Sequence, residues 1–194
     1  MYNGIPVEAV SAAAGSTKLG IEKIRWVVGR AILLDFVRFF GVDVCIDKTH
    51  GITSDELEAC AQAQGTEIRK GDIVLVRTGW IDQFMANHDR GPADVVSGGD
   101  YAQPGLAKEA AAFMDKYDIV AIGCDNSAIE VLGRPGDGFL DGHVAFLVDR
   151  GIHLVEHLML KEMADDRCYE SLFVVAPLPV VGAAGSPVNP IAIG

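Results

Sequence analysis

Lys70-Gly71-Asp72-Ile73-Val74-Leu75-Val76-Arg77-Thr78-Gly79-Trp80 is the stretch from which the rest of the chain can be read. Lys70-Gly71-Asp72 is a turn. The four apolar residues behind it leave no polar face, so Ile73–Val76 reads as a strand covered on both sides, the situation of a central strand in an α/β sheet. Arg77-Thr78-Gly79-Trp80 then leaves the carboxyl end of that strand, the edge at which open α/β sheets place ligands, and Trp80 is a candidate substrate contact on that ground.

Working outward, a second buried strand is expected at Ala31-Ile32-Leu33-Leu34-Asp35 and a third at Ile119-Val120-Ala121-Ile122-Gly123, ending at Cys124-Asp125-Asn126. Asp125 lies just past a strand's carboxyl end, a favoured pocket position, although capping of the following turn accounts for it equally well. Thr53-Ser54-Asp55-Glu56 opens a helix by a mechanism. The Thr53 side chain accepts the N–H three residues on, and Glu56 reaches back to the Thr53 N–H. That helix should run to about Gln64 and stop at Gly65. Further helices are expected over Pro6–Ala14, from Pro104-Gly105 to Lys116 with Leu106, Ala110, Phe113, Met114 and Tyr117 on its apolar face, and over Val144–Asp149. Strands are expected at Ile152–Glu156 and Tyr169–Ala176, and a long surface loop over Asn87–Gln103. Short strands alternating with helices, without a linker or an internal repeat, predict one α/β domain over residues 1–194, built on a mixed sheet with flanking helices.

Composition excludes several classes of function. The 194 residues suffice to bury roughly 70% of the surface that the unfolded chain exposes. Sixteen Lys and Arg against 27 Asp and Glu give a formal charge of −11, which repels phosphate backbones and anionic lipid headgroups. Cys45, Cys60, Cys124 and Cys168 form no C-x-x-C pair and fit a reducing compartment. No apolar run reaches the roughly 18 residues of a membrane span, and the first residues lack the basic and apolar regions of a signal peptide. A soluble cytoplasmic protein is expected.

Two adjacent signals point to chemistry: Asp141-Gly142-His143, reached through the turn-rich loop Gly133–Gly138, and Gly151-Ile152-His153-Leu154-Val155-Glu156-His157. Imidazole and carboxylate near strand ends are common ligands of first-row metals, so His143 and Glu156 are candidate ligands of one cation, if the fold brings them together. A protein metal site normally takes three or four donors. His153-Leu154-Val155-Glu156-His157 also spells H-x-x-E-H, but that peptidase motif works on a helix, whereas Gly151, Ile152 and Val155 favour a strand. His50 and His88 read as surface or loop residues. No phosphate-binding glycine motif and no G-x-S-x-G elbow is present.

Gly29-Arg30-Ala31-Ile32-Leu33-Leu34-Asp35, the Lys70–Trp80 block, Val120-Ala121-Ile122-Gly123-Cys124-Asp125, His143, Glu156, Ala176-Pro177-Leu178 and Gly185-Ser186-Pro187 together resemble the cyclase family that includes kynurenine formamidase and isatin hydrolase. The resemblance covers nearly the whole chain. It implies a swivelling β/β/α fold, a homodimer, and hydrolysis of a small amide, lactam or formamide by a divalent metal, commonly zinc or manganese. It assigns His143 to the family's late histidine ligand and Glu156 to a glutamate able to touch two metals, and it places Asp125 among substrate-pocket residues. His157 stands where relatives usually have Asn, and Asn189 where Arg is common. The family's His-x-x-x-His-x-Asp block and its acid/base histidine have no counterpart among the five histidines, so no catalytic residue is matched and the chain reads as N-terminally truncated. Two readings follow: an impaired metal-dependent amidohydrolase, or a non-catalytic small-molecule-binding or oligomerisation module that keeps the fold.

Overall fold

In the computed structural model, residues 2–11, 15–86 and 102–194 are described. Strands β1 (Val10–Ser11) and β2 (Gly15–Ser16) form a small antiparallel pair ahead of β3 (Val27–Asp35), which runs into the short helix α1 (Phe36–Phe40). β4 (Gly51–Ile52) and α2 (Ser54–Gln64) precede β5 (Ile73–Arg77) and α3 (Trp80–Ala86). Then come β6 (Gly105–Leu106), α4 (Ala111–Tyr117) and β7 (Ala121–Cys124). The turn α5 (Asp141–His143), β8 (His153–Val155), α6 (Lys161–Asp165), β9 (Glu170–Val175) and β10 (Ile191–Ile193) complete the order.

Six strands form one mixed sheet in the order β10-β9-β3-β5-β7-β8, with β3, β5, β7 and β8 parallel and the β9–β10 hairpin antiparallel at one side. The period-2 rule explains its two cores. Ile32, Leu34, Val74, Val76, Ile122 and Cys124 point to one face, where Leu57 and Cys60 of α2 and Phe113 and Met114 of α4 cover them. Ala31, Leu33, Ile73, Leu75 and Ala121 point to the other, against Leu158, Leu160, Ala164 and Phe173. An apolar run without polar alternation is therefore what a strand buried on both sides needs, and all five residues of β5 are buried. The mixed α/β sheet with flanking helices expected from the sequence is the architecture found.

The helix layer stops short of the β9–β10 side. Arg30 and Leu172 are cross-strand partners, as are Leu172 and Ile193, so Val28, Leu172, Ile191 and Ile193 share the helix-side face and remain exposed there. Among the described residues no helix is long and apolar enough to cross a membrane.

Several local expectations needed correction. Of Pro6–Ala14, only Val7–Ala9 makes a single 3-10 turn; Val10–Ser11 is extended and residues 12–14 lie outside the described ones. A helix that short lacks enough hydrogen bonds to offset nucleation, and Val10 prefers the strand it joins. The helix expected from Gly105 starts at Ala111 instead, because Gly105–Leu106 pairs in parallel with Gly51–Ile52. Val144–Val148 is helical but winds as a π-type turn, Asp149 N–H donating to Val144 O at 2.9 Å. The expected loop at Asn87–Gln103 falls almost wholly, and His88 entirely, outside the described residues.

The start of α2 is as expected. Thr53 Oγ1 accepts the Glu56 N–H at 3.3 Å, the Glu56 carboxylate accepts the Thr53 N–H at 2.8 Å, and Gly65 closes the helix at φ 71°. His50 Nε2 rests 3.0 Å from Glu56 Oε1, so His50 is a partnered loop residue. Thr53→Ala is expected to lower unfolding free energy by about 1 kcal/mol, read from the urea midpoint at unchanged slope.

Candidate active site

The parallel strands end on one edge of the sheet, and their exits carry the chemistry-bearing residues. β8 leaves at Glu156-His157, and two main-chain bonds tie it to the β7 exit: His157 N–H donates to Asn126 O at 3.0 Å and Leu158 N–H to Cys124 O at 3.0 Å. His157 takes φ 57°, which turns the chain sharply after Glu156. His143 ends the α5 turn, at the head of the π-type turn Val144–Val148, a rare form of helix that occurs often at functional sites.

His143 and Glu156 are brought together. His143 Nε2 lies 3.6 Å from Glu156 Oε1, and both side chains are partly open to solvent. Sequence reasoning missed the third member, Glu130. Its carboxylate is buried, and Oε1 lies 2.7 Å from His143 Nδ1 and accepts the His143 N–H at 2.8 Å, while Oε2 accepts the Gly142 N–H at 2.7 Å. With Nδ1 engaged, Nε2 is the ring nitrogen turned toward Glu156. Glu130 beside it lifts the His143 imidazole above its ordinary pKa, against the opposing effect of burial. Burial pushes the Glu156 carboxyl up, partly offset by His143 and His157.

The other sequence candidates sit differently. Trp80 opens α3 with its indole stacked on Phe84 at 5.1 Å and lies 6.0 Å from the His157 ring, so it borders the residue that follows Glu156. Asp125 is turned inward: the carboxylate, 1% exposed, accepts from Thr78 N–H at 2.9 Å, Thr78 Oγ1 at 2.6 Å and Gly79 N–H at 2.6 Å. It clamps the exit of β5 to β7. His153 and Glu156 belong to a strand and its exit, not to a helix, which removes the peptidase reading of H-x-x-E-H. Burial lowers the pKa of the His153 ring.

A divalent cation is the group this chemistry suggests, and the donors fit it in kind: one imidazole nitrogen with its other nitrogen held by a carboxylate, and one partly buried carboxylate. In number they fall short. Among the described residues no group of three or more His, Cys, Asp or Glu side chains is arranged to hold a metal, and the Glu130 oxygens already accept three hydrogen bonds. The loop before His143 is pinned by Lys108, which lies 2.9 Å from Asp141 Oδ2, and by Arg134, whose Nε lies 3.1 Å from Asp137 Oδ2.

Comparison with known proteins agrees with this architecture. A crystal structure described as a novel cyclase is 31% identical with TM-score 0.84, covering 100% of this chain and 64% of that one. An isatin hydrolase bound to the product analogue thioisatinate is 17% identical with TM-score 0.64, covering 94% of this chain and 64% of its own. Isatin hydrolase A from Labrenzia aggregata, bound to benzyl benzoate, is 19% identical with TM-score 0.67 and covers 90% and 65%. The chain thus spans just under two thirds of the length of these relatives, and the two hydrolases share its fold. No curated protein sequence matches it. The family model described as "Putative cyclase" matches residues 7–131, well over half of the sequence, and the chain therefore belongs to the cyclase family.

Proposed function

We propose that this chain is a hydrolase of a small amide, lactam or formamide, dependent on a divalent cation such as zinc or manganese that His143 and Glu156 help to hold. The observation that carries the reading is the 3.6 Å approach of His143 Nε2 to Glu156 Oε1, with Nδ1 already taken by Glu130. The isatin hydrolases with the same fold support a small cyclic amide as the substrate class. A bound cation would polarise the substrate carbonyl and activate water for attack. The chain's own residues orient: Glu130 fixes the imidazole, and Trp80 beside His157 offers a flat wall to a planar substrate. Two protein donors should retain only part of the roughly 10–16 kcal/mol of a full structural zinc site, so binding and turnover by this chain should be weak.

Calorimetric titration with Zn²⁺ and Mn²⁺, alongside hydrolysis of isatin and an N-formyl aniline, tests the reading. One-to-one binding is expected, lost in His143→Ala and weakened at least about tenfold in Glu156→Gln, with metal-dependent hydrolysis falling in step. Binding that is unchanged in both variants would overturn it.

One observation favours a second reading, a non-catalytic module that keeps the fold: among the described residues, no third donor joins the pair. Under that reading the same titrations give no turnover, while a cyclic amide raises the melting temperature or sedimentation shows self-association through the exposed Val28, Leu172 and Ile193 face. Absence of both effects would rule the module out.

A further inference from the structure

We propose that Glu130 is the positioning residue of this site: it holds the neutral His143 ring in the Nδ1–H form, so that the lone pair lies on Nε2, the nitrogen turned toward Glu156. The inference rests on the metal-dependent reading for its purpose, but its geometry stands alone.

The chain brings Glu130 under His143 at a visible cost. Asn126, fully buried, donates from Nδ2 to Pro104 O at 2.7 Å and accepts the Ile129 N–H on Oδ1 at 2.7 Å, winding residues 126–130 into a tight loop. Ile129, the donor to Asn126 Oδ1, takes φ 62°, a left-handed conformation that a β-branched residue avoids. Two glycines then let the backbone close on Glu130. A Cβ at Gly105 would lie 2.4 Å from the Glu130 carbonyl carbon, and one at Gly142 would lie 2.6 Å from Glu130 Cβ and 2.9 Å from Cδ. Strain, a buried asparagine and two close approaches converge on a carboxylate with three donors around it.

A purely structural role, capping the turn at Gly142 and His143, needs only the two backbone N–H groups. The contact at Nδ1 goes beyond that. A carboxylate can only accept, so the hydrogen between Oε1 and Nδ1 belongs to the ring, and Nε2 is the nitrogen left free in the neutral imidazole. Glutamine at this position alters the logic. Its amide oxygen replaces only one carboxylate oxygen: facing Gly142 N–H, it turns the NH₂ toward Nδ1 and the His143 N–H, which share Oε1, so that Nδ1 must accept and the proton moves to Nε2; facing Nδ1, it keeps the tautomer and sets the NH₂ against Gly142 N–H. Tautomer and hydrogen-bond partner are linked in this way at many metal-binding histidines.

The test uses the full chain, metal-free, with ¹⁵N-labelled histidine, at a pH where the ring is neutral. His143 is assigned by its disappearance in His143→Ala. In the unmodified chain the His143 ring should show the protonated-type shift at Nδ1 and the unprotonated type at Nε2. In Glu130→Ala, which removes the acceptor outright, the pattern should reverse or average, and Zn²⁺ affinity should drop about 10–100-fold. Should the alanine variant fail to fold, Glu130→Asp keeps the charge but withdraws the acceptor by one methylene and should give the same averaging. A His143 tautomer unchanged in whichever variant folds would overturn the inference. If the unmodified chain binds no metal but the tautomer still switches, the positioning role stands and the metal-dependent reading fails.

Discussion

Asp125→Ala is expected to lower unfolding free energy by about 3–5 kcal/mol, since a buried donor left without an acceptor costs about 1–3 kcal/mol and Asp125 serves three N–H and O–H donors besides the weak Cys124 thiol at 3.6 Å. Those donors are the backbone N–H groups of Thr78 and Gly79 and the Thr78 hydroxyl, and both Thr78 and Asp125 are buried, so water cannot replace the carboxylate. One effect works against the loss. Burial pushes the Asp125 carboxyl above its ordinary pKa, so alanine also relieves a desolvated charge, which keeps the expected figure from being larger. Asp125→Asn separates the two. It keeps the shape and removes the charge, but its NH₂ group must face one of the three donors, so it should lose a smaller but clear amount. Urea unfolding at pH 7 measures all three proteins. A residue that bound substrate from an open pocket would behave in the opposite way, with stability kept and KM changed. An alanine variant as stable as the parent would show that the clamp does not hold β5 to β7.

What could be read from the sequence follows the range of each interaction. The β5 strand, the capping box at Thr53 and Glu56 and the strand character of His153–Val155 all depend on residues within a few positions of one another, and these the pattern rules capture. The pairing of His143 with Glu156 spans 13 residues and two elements, and it was legible only because both residue types suit a metal and both lie near strand exits. Glu130 is equally distant from His143 and gave no such sign. Its position depends on the loop that Asn126 winds and on the proximity of Gly105. Gly142 is the one local sign, since a glycine directly before a candidate ligand leaves room for something to pack there. Asp125 lies at the strand end that its sequence position predicts, but its direction is set by Thr78 and Gly79, 47 and 46 residues away on the neighbouring strand exit, which a local sequence pattern does not encode. The helix starts at Ala111 and not at Gly105 for a related reason. Its apolar spacing is genuine, yet Gly105–Leu106 is taken by a strand partner 54 residues earlier in register with Gly51–Ile52.

Gly79→Ala is expected to cost about 2–5 kcal/mol, combining a left-handed conformation for an L-residue at about 1–2 kcal/mol with a collision that moves main chain at about 1–3 kcal/mol. Gly79 adopts φ 83°, and a Cβ there would sit 1.8 Å from Val44 O and 2.7 Å from Val44 C. These are backbone atoms with no rotamer to escape into. Gly71 supplies the control. It has nearly the same φ, 82°, but nothing within 4 Å of its Cβ position, so Gly71→Ala should lose only the conformational part. The difference between the two variants therefore isolates the close approach. For a chain of this length a loss of that size should lower the melting temperature by roughly 10 °C, against a few degrees for Gly71→Ala. The consequence for the site follows from position. Gly79 N–H is one of the bonds to Asp125, and Trp80 is the next residue, stacked on Phe84 and set 6.0 Å from His157 beside Glu156. A displaced Gly79 should therefore loosen the indole, reducing the near-ultraviolet circular dichroism from Trp80 even in the fraction that remains folded, while Gly71→Ala leaves that signal intact. Equal losses of stability in the two alanine variants would mean that the segment around Val44 yields freely and that the β5 exit is not the rigid mount of Trp80 described above.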